Sequence, residues 1–289
     1  MSENWHRDPA ASARLLDVLT DLASQAAAAI MAVRSPGVAW RAKEDASPVT
    51  AADEAAQAVI LQGLRRHLPG LPIISEESDY HGMQPGPHFA LVDPLDGTKE
   101  FISGREDFTV NIALIQDGRP HLGVVGAPAL GLIWRGFVGG PAERLRLAPG
   151  KDVDAAAERV PIRVRKAPAT GLTAAVSRSH LDSTTVAFLG RLSVKDQIGV
   201  GSAIKFCRIA EGTADVYPRF GTTCEWDIAA GHAVVLAAGG TVTATDGAPL
   251  SYGHGERDFR VSGFIAWGDS AAAMLSQAYG TSVRSTSGQ

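Results

Sequence analysis

Two carboxylates, Asp93 and Asp96, follow an apolar run, and this stretch limits the fold more than any other part of the sequence. Residues 88–92 are typical of a buried strand. Pro94 fixes φ and Gly97 permits a tight reversal, so both carboxylates can point into one small space. Like charges held close repel, and the usual compensation is Mg²⁺, which takes oxygen ligands. An ordinary surface turn is the alternative, since Asp-Pro and Asp-Gly are common turn formers.

Neighbouring residues strengthen the prediction of a metal and phosphate site. Thr98 opens a predicted helical turn at residues 99–102, whose free backbone N–H groups can receive a phosphate. Glu76 and Glu77 follow a short predicted strand at residues 71–75. Acids at the ends of two adjacent strands form one cluster if the strands finish at the same edge of a sheet. Solvated acids without a function are the alternative.

Composition excludes several classes of protein. The chain has 289 residues, 45% of them hydrophobic, which allows a substantial core in one large or two modest domains. Its net charge of -4 is well mixed, so neither a nucleic-acid groove nor a membrane surface is indicated. The apolar stretch 26–33 is short and follows Asp17 and Asp21, which predicts a cytoplasmic protein without a signal peptide or membrane insertion. Cys207 and Cys224 fit no disulfide framework or zinc spacing, so both are expected to be reduced thiols.

Hydrophobic periodicity predicts a first half built on hairpins. A helix is expected at residues 11–33, and a second one follows Thr50 and Asp53, whose spacing is that of a capping box. Asp117-Gly118 is a strong hairpin signal within an antiparallel meander. The strands of this meander are predicted at residues 108–116, 120–128, 132–138 and 144–147. Loops are predicted at residues 35–47 and 148–160.

The second half alternates strands and helices, which is typical of an α/β arrangement. Strands are predicted at residues 172–176, 195–200, 214–218, 241–245 and 262–267. Helices are predicted at residues 182–192, 202–211, 225–238 and 270–279. Asp227 lies in the first turn of the third of these helices, where the helix dipole favours an acid regardless of function. The change of pattern predicts two subdomains, at residues 1–166 and 167–289.

Three motifs in this order resemble the inositol monophosphatase superfamily of metal-dependent, lithium-sensitive phosphatases. They are Glu76-Glu77, then Asp93-Pro94-Leu95-Asp96-Gly97-Thr98, then Trp226-Asp227-x-Ala229-Ala230-Gly231. The resemblance extends from about residue 13 to residue 267. It implies an α+β fold, the layered αβαβα sandwich of the sugar phosphatases, with an antiparallel N-terminal sheet and a mixed C-terminal sheet.

Further stretches resemble one branch of this superfamily, the bacterial 3′(2′),5′-bisphosphate nucleotidases. They are residues 93–101, 108–114, 177–180, 201–207 and 217–220. Members of this branch hydrolyse adenosine 3′,5′-bisphosphate to AMP and phosphate in sulfate assimilation. The resemblance therefore implies a Mg²⁺-dependent phosphomonoesterase whose partner is a small-molecule nucleotide, not a nucleic acid. An inositol monophosphatase or sugar phosphatase of the same fold is one alternative, and a non-catalytic binding protein is another.

The same resemblance implies ligands for two or three Mg²⁺ ions. Glu76, Asp93 and the backbone carbonyl of Leu95 would hold one ion. Asp93, Asp96 and Asp227 would hold a second, and a looser third ion would use Glu76 and water.

Catalytic roles are implied for three residues. Asp53 and Thr98 match the pair that, with Glu76, orients and deprotonates the attacking water. For Asp53 the structural alternative is strong, because a helix cap needs no catalytic role.

Substrate contacts are implied at the turn after the metal motif and in the second half of the chain. They are Gly97, Thr98, His180, Ser202, Lys205, Arg219 and Asp227. Lys205 and Arg219 stand in otherwise apolar segments, where a buried cation needs an anionic partner, so they favour a substrate with a second phosphate. A capping or surface role is the alternative for His180, and His232 is expected to be a core histidine.

Overall fold

A computed structural model describes residues 8–34, 39–42, 48–178 and 181–273 of the chain. His180, a predicted substrate contact, lies outside the described residues, and so does most of the helix predicted at 270–279.

Two helices and a short antiparallel strand pair between them form the first part of the described chain. α1 is Pro9–Val33, and α2 is Ala51–His67. Between them β1 (Trp40–Ala42) pairs antiparallel with β2 (Pro48–Thr50), and β1 lies within residues 35–47, for which the sequence predicts only a loop. The predicted capping box at the start of α2 is confirmed, because the Thr50 hydroxyl and the Asp53 carboxylate cap each other's backbone N–H groups.

A seven-stranded sheet forms the centre of the first half. Its strands are β3 (Ile73–Ser75), β4 (His88–Asp96), β5 (Thr109–Gln116), β6 (Arg119–Ala127), β7 (Leu132–Phe137), β8 (Ala142–Arg146) and β9 (Glu158–Pro161), and the short helix α3 (Thr98–Ile102) follows β4. Neighbours in the sheet follow chain order, and every pair is antiparallel except β3 and β4. Asp117 and Gly118 both have positive φ, as a tight hairpin turn requires. The predicted meander is confirmed, but the loop predicted at 148–160 is wrong at its end, where β9 extends the sheet.

The second half forms a five-stranded mixed sheet, as expected. Its elements are β10 (Leu172–Ser177), α4 (Ser183–Leu189), β11 (Val194–Val200), α5 (Ile204–Ala210), β12 (Val216–Arg219), β13 (Thr223–Cys224), α6 (Glu225–Ala237), β14 (Thr241–Ala244), β15 (Arg260–Val261) and β16 (Phe264–Trp267). The order across the sheet is β11-β10-β12-β16-β14, with parallel pairs on one side and antiparallel pairs on the other. β13 and β15 form a separate pair that the sequence pattern does not indicate.

Helices and sheets alternate in five layers. α1 and α2 cover the outer face of the first sheet, α5 and α6 fill the space between the sheets, and α4 lies on the outer face of the second sheet. Close contact requires small residues in the middle layer. A Cβ on Gly123 of β6 would lie 2.3 Å from the Ala230 carbonyl of α6, and a Cβ on Gly231 would lie 2.4 Å from the Phe206 side chain of α5. The predicted αβαβα sandwich is confirmed.

The long helix α1 belongs to this core. By length and composition it is apolar enough to cross a membrane, with a mean hydropathy of 1.4 over its most apolar window, yet half of that window is buried inside the protein. Its buried residues include Leu15, Leu19 and Ile30, which pack in one cluster with α2 and the first sheet. This packing is that of a helix in the protein core.

Candidate active site

Two strands of the first sheet bring acids to one edge, as predicted. β3 and β4 run parallel, with Ser75 opposite Val92. The backbone N–H of Glu76 donates to the Val92 carbonyl at 3.1 Å, so Glu76 reaches the level of Asp93. Strands that finish at the same edge thus place both acidic motifs together.

A bulge in β4 orients the two aspartates of the central motif. Opposite β5, Asp93 pairs with Asn111 and Asp96 pairs with Thr109, so three steps along β4 match two steps along β5. In a regular strand, residues three apart point to opposite faces, whereas one extra residue restores them to the same side. The sequence pattern predicts that a turn at Pro94 gives this orientation, but β4 continues through the motif, and the bulge instead brings the two side chains to the same side.

Hydrogen bonds fix the carboxylates of this motif. Asp93 is 1% exposed, and its Oδ1 accepts from the Leu95 backbone N–H at 3.0 Å. Asp96 is more open, and its Oδ2 accepts from the Asn111 amide at 3.4 Å and from the Thr109 hydroxyl at 3.5 Å. Two side chains of β5 therefore hold the Asp96 carboxylate of β4 in place.

Asp53 and Thr98 form a connected pair. Oδ2 of Asp53 accepts from the Thr50 backbone N–H at 2.8 Å and from the Thr50 hydroxyl at 2.7 Å. Its Oδ1 lies 3.2 Å from the Thr98 hydroxyl, which also lies 3.1 Å from the Leu95 carbonyl. The helix cap and the contact to the site coexist, because each uses a different carboxylate oxygen.

Asp227 enters from the other half of the chain, in the first turn of α6. Its Oδ2 accepts from the Cys224 backbone N–H at 2.9 Å and from the Thr223 hydroxyl by a short hydrogen bond. These two contacts are both made by Oδ2, and they fix the Asp227 carboxylate at the start of α6.

Mutual repulsion and burial dominate the electrostatics. Burial raises the pKa of Asp93 well above its ordinary value, and the charges of Glu76, Asp96, Asp227 and Asp53 add to this. Burial and the charge of Asp227 raise the pKa of Asp96 to about 6, although Lys205 and Arg219 act in the opposite direction. Asp93 therefore lies close enough to four other acids to interact with each of them electrostatically.

Cationic side chains form the facing wall. Lys205 is 3% exposed, and its Nζ donates to the Ser202 carbonyl at 2.7 Å and to the Val200 carbonyl at 3.3 Å. The ammonium also lies 5.3 Å from the centre of the Tyr217 ring, and Arg219 forms a hydrogen bond with Tyr217. Burial lowers the pKa of Lys205 to about 8, although the charge of Asp96 opposes this.

A cavity of about 270 Å³ joins the two walls. Predicted residues from both halves of the chain line it: Glu76, Asp96, Gly97, Thr98, Ser202, Lys205, Arg219 and Asp227. Asp53, Asp93 and Leu95 are buried behind the wall. The predicted set, apart from His180, thus comes together at one cavity.

The sequence matches the model of the inositol monophosphatase family over residues 12–279. The chain belongs to the inositol monophosphatase family. The 3′(2′),5′-bisphosphate nucleotidase CysQ of Salmonella typhimurium is 42% identical over 242 residues, which cover 82% of this chain and 94% of that protein. The CysQ nucleotidase of Escherichia coli strain K12 is 43% identical over 243 residues, with the same coverage of 82% and 94%.

Solved structures of the family share the layered fold. CysQ from Bacteroides thetaiotaomicron, a bacterial member of the family, is 33% identical with a TM-score of 0.74, covering 87% of this chain and 96% of that one. An inositol monophosphatase from Anabaena is 28% identical with a TM-score of 0.72, covering 93% of this chain and 96% of that one.

The carboxylates suit the Mg²⁺ on which phosphatases of this family depend. Within the described residues, no group of three His, Cys, Asp or Glu side chains is arranged to surround an ion unaided. Mg²⁺ commonly meets a protein through one or two carboxylates and completes its shell with water and substrate phosphate. Because the mutual repulsion at Asp93 favours a nearby cation and the donors are hard oxygens, the acidic cluster fits Mg²⁺ in a site that substrate helps to complete.

Sequence reasoning assigned no role to several residues of the site. Tyr217 and Ser177 line the cavity, and Thr109 and Asn111 support Asp96 from β5. Asn111 carried a signal, since a polar residue between valine and isoleucine in a fully buried strand needs a partner.

The two predictions of inert residues are confirmed. His232 is buried beside Tyr252, whose hydroxyl lies 2.7 Å from Nδ1, and burial lowers its pKa to about 3. Cys207 and Cys224 are free thiols, and burial raises the pKa of Cys224 to about 12. Neither cysteine therefore supplies a thiolate nucleophile.

Proposed function

We propose that this chain is a Mg²⁺-dependent phosphatase that hydrolyses adenosine 3′,5′-bisphosphate to AMP and phosphate. The observation that carries the proposal is the single cavity in which the acidic motifs face Lys205 and Arg219. A phosphatase needs the acids, and only a substrate with a second anionic group needs the cations. Relatives at 42% and 43% identity that bear the nucleotidase name support the same substrate class.

Thr98 and Asp53 provide a route for the proton of the attacking water. Hydrolysis joins the water oxygen to phosphorus and breaks the bond from phosphorus to the ester oxygen, which leaves with a proton. A water that donates to the Thr98 hydroxyl can pass its proton through that hydroxyl to Asp53 Oδ1, 3.2 Å away. Burial raises the pKa of Asp53, which makes its carboxylate a stronger proton acceptor.

The acidic residues would hold the metal. We assign two or three Mg²⁺ ions to Glu76, Asp93, the Leu95 carbonyl, Asp96 and Asp227. Bound Mg²⁺ neutralises phosphate charge and makes a nearby water easier to deprotonate. The bulge in β4 and the caps at Asp53 and Asp227 keep these oxygens aimed at one space before substrate arrives.

The cationic wall would bind the phosphate that is not cleaved. Lys205 uses two of its three N–H groups on the Ser202 and Val200 carbonyls, so its remaining N–H and its charge act on the cavity. Arg219 donates to the Thr222 carbonyl at 3.4 Å and keeps further donors in its guanidinium. Ser202 lines the same wall.

An inositol or sugar monophosphatase is the second candidate, since a shared metal core does not fix the leaving group. The Anabaena structure, which has the same fold, carries the inositol monophosphatase name. A monophosphate would leave Lys205 and Arg219 without an anionic partner, which is why the nucleotide is preferred.

Phosphate release decides between the candidates. Adenosine 3′,5′-bisphosphate, inositol 1-phosphate and fructose 1,6-bisphosphate are compared at equal concentrations with Mg²⁺ and then with a chelator. We expect the nucleotide to be preferred and all activity to stop with the chelator. Preference for inositol 1-phosphate would overturn the substrate, and activity that survives the chelator would overturn the metal.

Two coarser proposals accompany this one. We place the enzyme in the cytoplasm, where its nucleotide substrate would occur. We also propose subdomains at residues 1–166 and 167–289, because β9 ends at 161 and β10 begins at 172, so the boundary falls in the connection between the sheets. Limited proteolysis should cut this connection first, and a first cut inside either sheet would argue against the division.

A further inference from the structure

Beside the cavity, three residues connect the metal motif to the cationic wall. Asp107 lies between α3 and β5, and its Oδ2 accepts from the Gly201 backbone N–H at 2.7 Å. The Arg178 guanidinium lies 3.1 Å from the same oxygen and donates to the Gly199 carbonyl at 2.8 Å. We refer to this contact as the Asp107 clasp; it consists of Asp107, Arg178 and Gly201.

The clasp requires a very close approach. A Cβ on Gly201 would lie 2.6 Å from the Asp107 carbonyl oxygen and 2.9 Å from its Oδ2, so no larger residue fits there. The same Asp107 carbonyl oxygen lies 3.3 Å from the position of a Cβ on Gly97, within the metal motif. Asp107 thus packs against both Gly97 and Gly201, which both line the cavity.

The cationic wall begins at Ser202, directly after the residue that Asp107 holds. Ser202 follows Gly201 in the left-handed region, with φ of 48°, which is uncommon for serine. Its buried Oγ has no hydrogen-bond partner within the described part of the chain, and it lines the cavity. The carbonyl of Ser202 in turn anchors Nζ of Lys205. A shift at Gly201 would therefore move both the unpartnered hydroxyl and the ammonium.

The two sides of the clasp differ in exposure. The Asp107 side chain is 11% exposed, while the Arg178 side chain is 47% exposed, so solvent screens this ion pair on one side. The hydrogen bond in which the Gly201 N–H donates to the charged Oδ2 of Asp107 is buried. The main structural effect of Asp107 is accordingly to fix the position of Gly201, and Arg178 holds the Asp107 carboxylate in place.

We propose that Asp107 is a positioning residue that sets substrate selection. By holding Gly201 against the metal motif, it fixes Ser202 and Lys205 at the distance from the carboxylates that suits a substrate with two phosphates. Asp107 does not touch the substrate itself. The identity of the second group as a phosphate rests on the function proposed above.

The test compares two substrates that differ by one phosphate. Adenosine 3′,5′-bisphosphate and adenosine 3′-monophosphate are hydrolysed by wild type, Asp107→Asn and Arg178→Gln. We expect Asp107→Asn to raise KM for the bisphosphate about tenfold, because the charge-assisted hydrogen bond from Gly201 becomes a weaker neutral one and the ion pair with Arg178 is lost, with kcat within about twofold. Values for the monophosphate should stay near wild type. Arg178→Gln should act in the same direction and more weakly.

Glu106→Gln is the matched control. Glu106 is the exposed neighbour of Asp107, and its change removes one negative charge without altering the bond to Gly201. We expect wild-type kinetics on both substrates. If Glu106→Gln raised KM for the bisphosphate as much as Asp107→Asn, general charge would explain the effect and positioning would be excluded.

A double-mutant cycle tests whether Asp107 acts through Ser202. If it does, Asp107→Asn raises KM less in a Ser202→Ala background than in the wild type, because only the part that acts through Lys205 remains, whereas independent residues would have additive effects. Additive effects would overturn the inference, and so would an equal loss on both substrates. Thermal unfolding identifies a folding defect in Asp107→Asn, in which case Arg178→Gln carries the test.

The outcome separates this inference from the proposed function. If the wild-type protein does not hydrolyse the bisphosphate, the proposed function fails. If it does, and Asp107→Asn keeps the wild-type KM, only the role of Asp107 fails.

Discussion

The two walls of the cavity are built on different principles. The acidic wall consists of Glu76, Asp96 and Asp227, with Asp93 buried directly behind them. Strand register and a helix start set these residues, and the oxygens of the three aspartates accept from backbone N–H groups or from neighbouring hydroxyls and amides. Ser202, Lys205 and Arg219, the cationic wall, are held through carbonyl groups and one aromatic ring.

This difference separates reaction from selection. Every phosphate ester needs the acidic wall, because the Mg²⁺ that this wall would hold neutralises the charge of the phosphate during transfer. Only a substrate with a second anion needs the cationic wall. Changes in the acidic wall should therefore affect all substrates alike, while changes in the cationic wall should affect the bisphosphate selectively.

Asp93→Asn should have the largest effect, and it should be equal for all substrates. Asp93 interacts electrostatically with four other acids and is almost fully buried. We expect kcat to fall about a thousandfold on adenosine 3′,5′-bisphosphate and on inositol 1-phosphate, since loss of metal assistance removes several kcal/mol. Calorimetry should show weaker Mg²⁺ binding. The exposed Asp79→Asn is the control, and a selective loss for one substrate would contradict the separation of the walls.

The acidic wall was the part of the site that the sequence revealed best. The pair Thr50 and Asp53 and the motif from Asp93 to Thr98 are local, so spacing alone indicates which groups can meet. The bulge is not local, because it depends on how Asp93 pairs with Asn111 across two strands. Without the bulge, the alternation of side chains along β4 would have placed Asp93 and Asp96 on opposite faces of the sheet.

Elements that lack a pattern were missed for a physical reason. β9 is exposed at all four positions, so it has no alternation to detect, and β13 and β15 contain two residues each. The partners of the cationic wall were also hidden. Nothing near Asp107 in sequence indicates Gly201, because their contact joins residues 94 positions apart.

Thr98→Val should have the second largest effect. Valine keeps the shape of the side chain but cannot relay a proton to Asp53 Oδ1. We expect kcat to fall about a hundredfold on both adenosine 3′,5′-bisphosphate and inositol 1-phosphate, which is typical of losing general acid–base catalysis, while the affinity for Mg²⁺ stays near wild type. Stopped-time phosphate release and calorimetry measure these quantities. Thr184→Val, at an exposed position of α4, is the matched control. A large loss of Mg²⁺ binding would mean that Thr98 supports the metal instead of the proton transfer.

Arg219→Gln should have a smaller effect confined to one substrate. Glutamine keeps a donor for the Thr222 carbonyl but removes the charge. We expect kcat/KM for adenosine 3′,5′-bisphosphate to fall about thirtyfold, as loss of a charge-assisted contact predicts, and adenosine 3′-monophosphate to change about threefold or less. Similar losses for both substrates would place Arg219 with the acidic wall, as a counter-charge for Asp96 and Asp227.

The pH dependence of selection should give the smallest and most specific effect. Because burial lowers the pKa of Lys205 to about 8, this cation loses its proton as the pH rises from 7 to 9. Phosphate monoesters are already about nine-tenths or more dianionic over that range, since their second pKa is about 6. The ratio of kcat/KM for the bisphosphate to kcat/KM for the monophosphate therefore reports the enzyme alone, because titrations common to both substrates cancel.

We expect this ratio to fall about three- to tenfold between pH 7 and pH 9, because only the bisphosphate interacts with the charge of Lys205 through a second phosphate. In Lys205→Met the ratio should be lower at pH 7 and independent of pH, since the titrating group is gone. Arg219→Gln should keep the pH dependence, because arginine does not titrate in this range. A ratio that is flat in the wild type would show that the ammonium of Lys205 serves the Ser202 and Val200 carbonyls and not the substrate, and selection would then rest on Arg219 and Ser202.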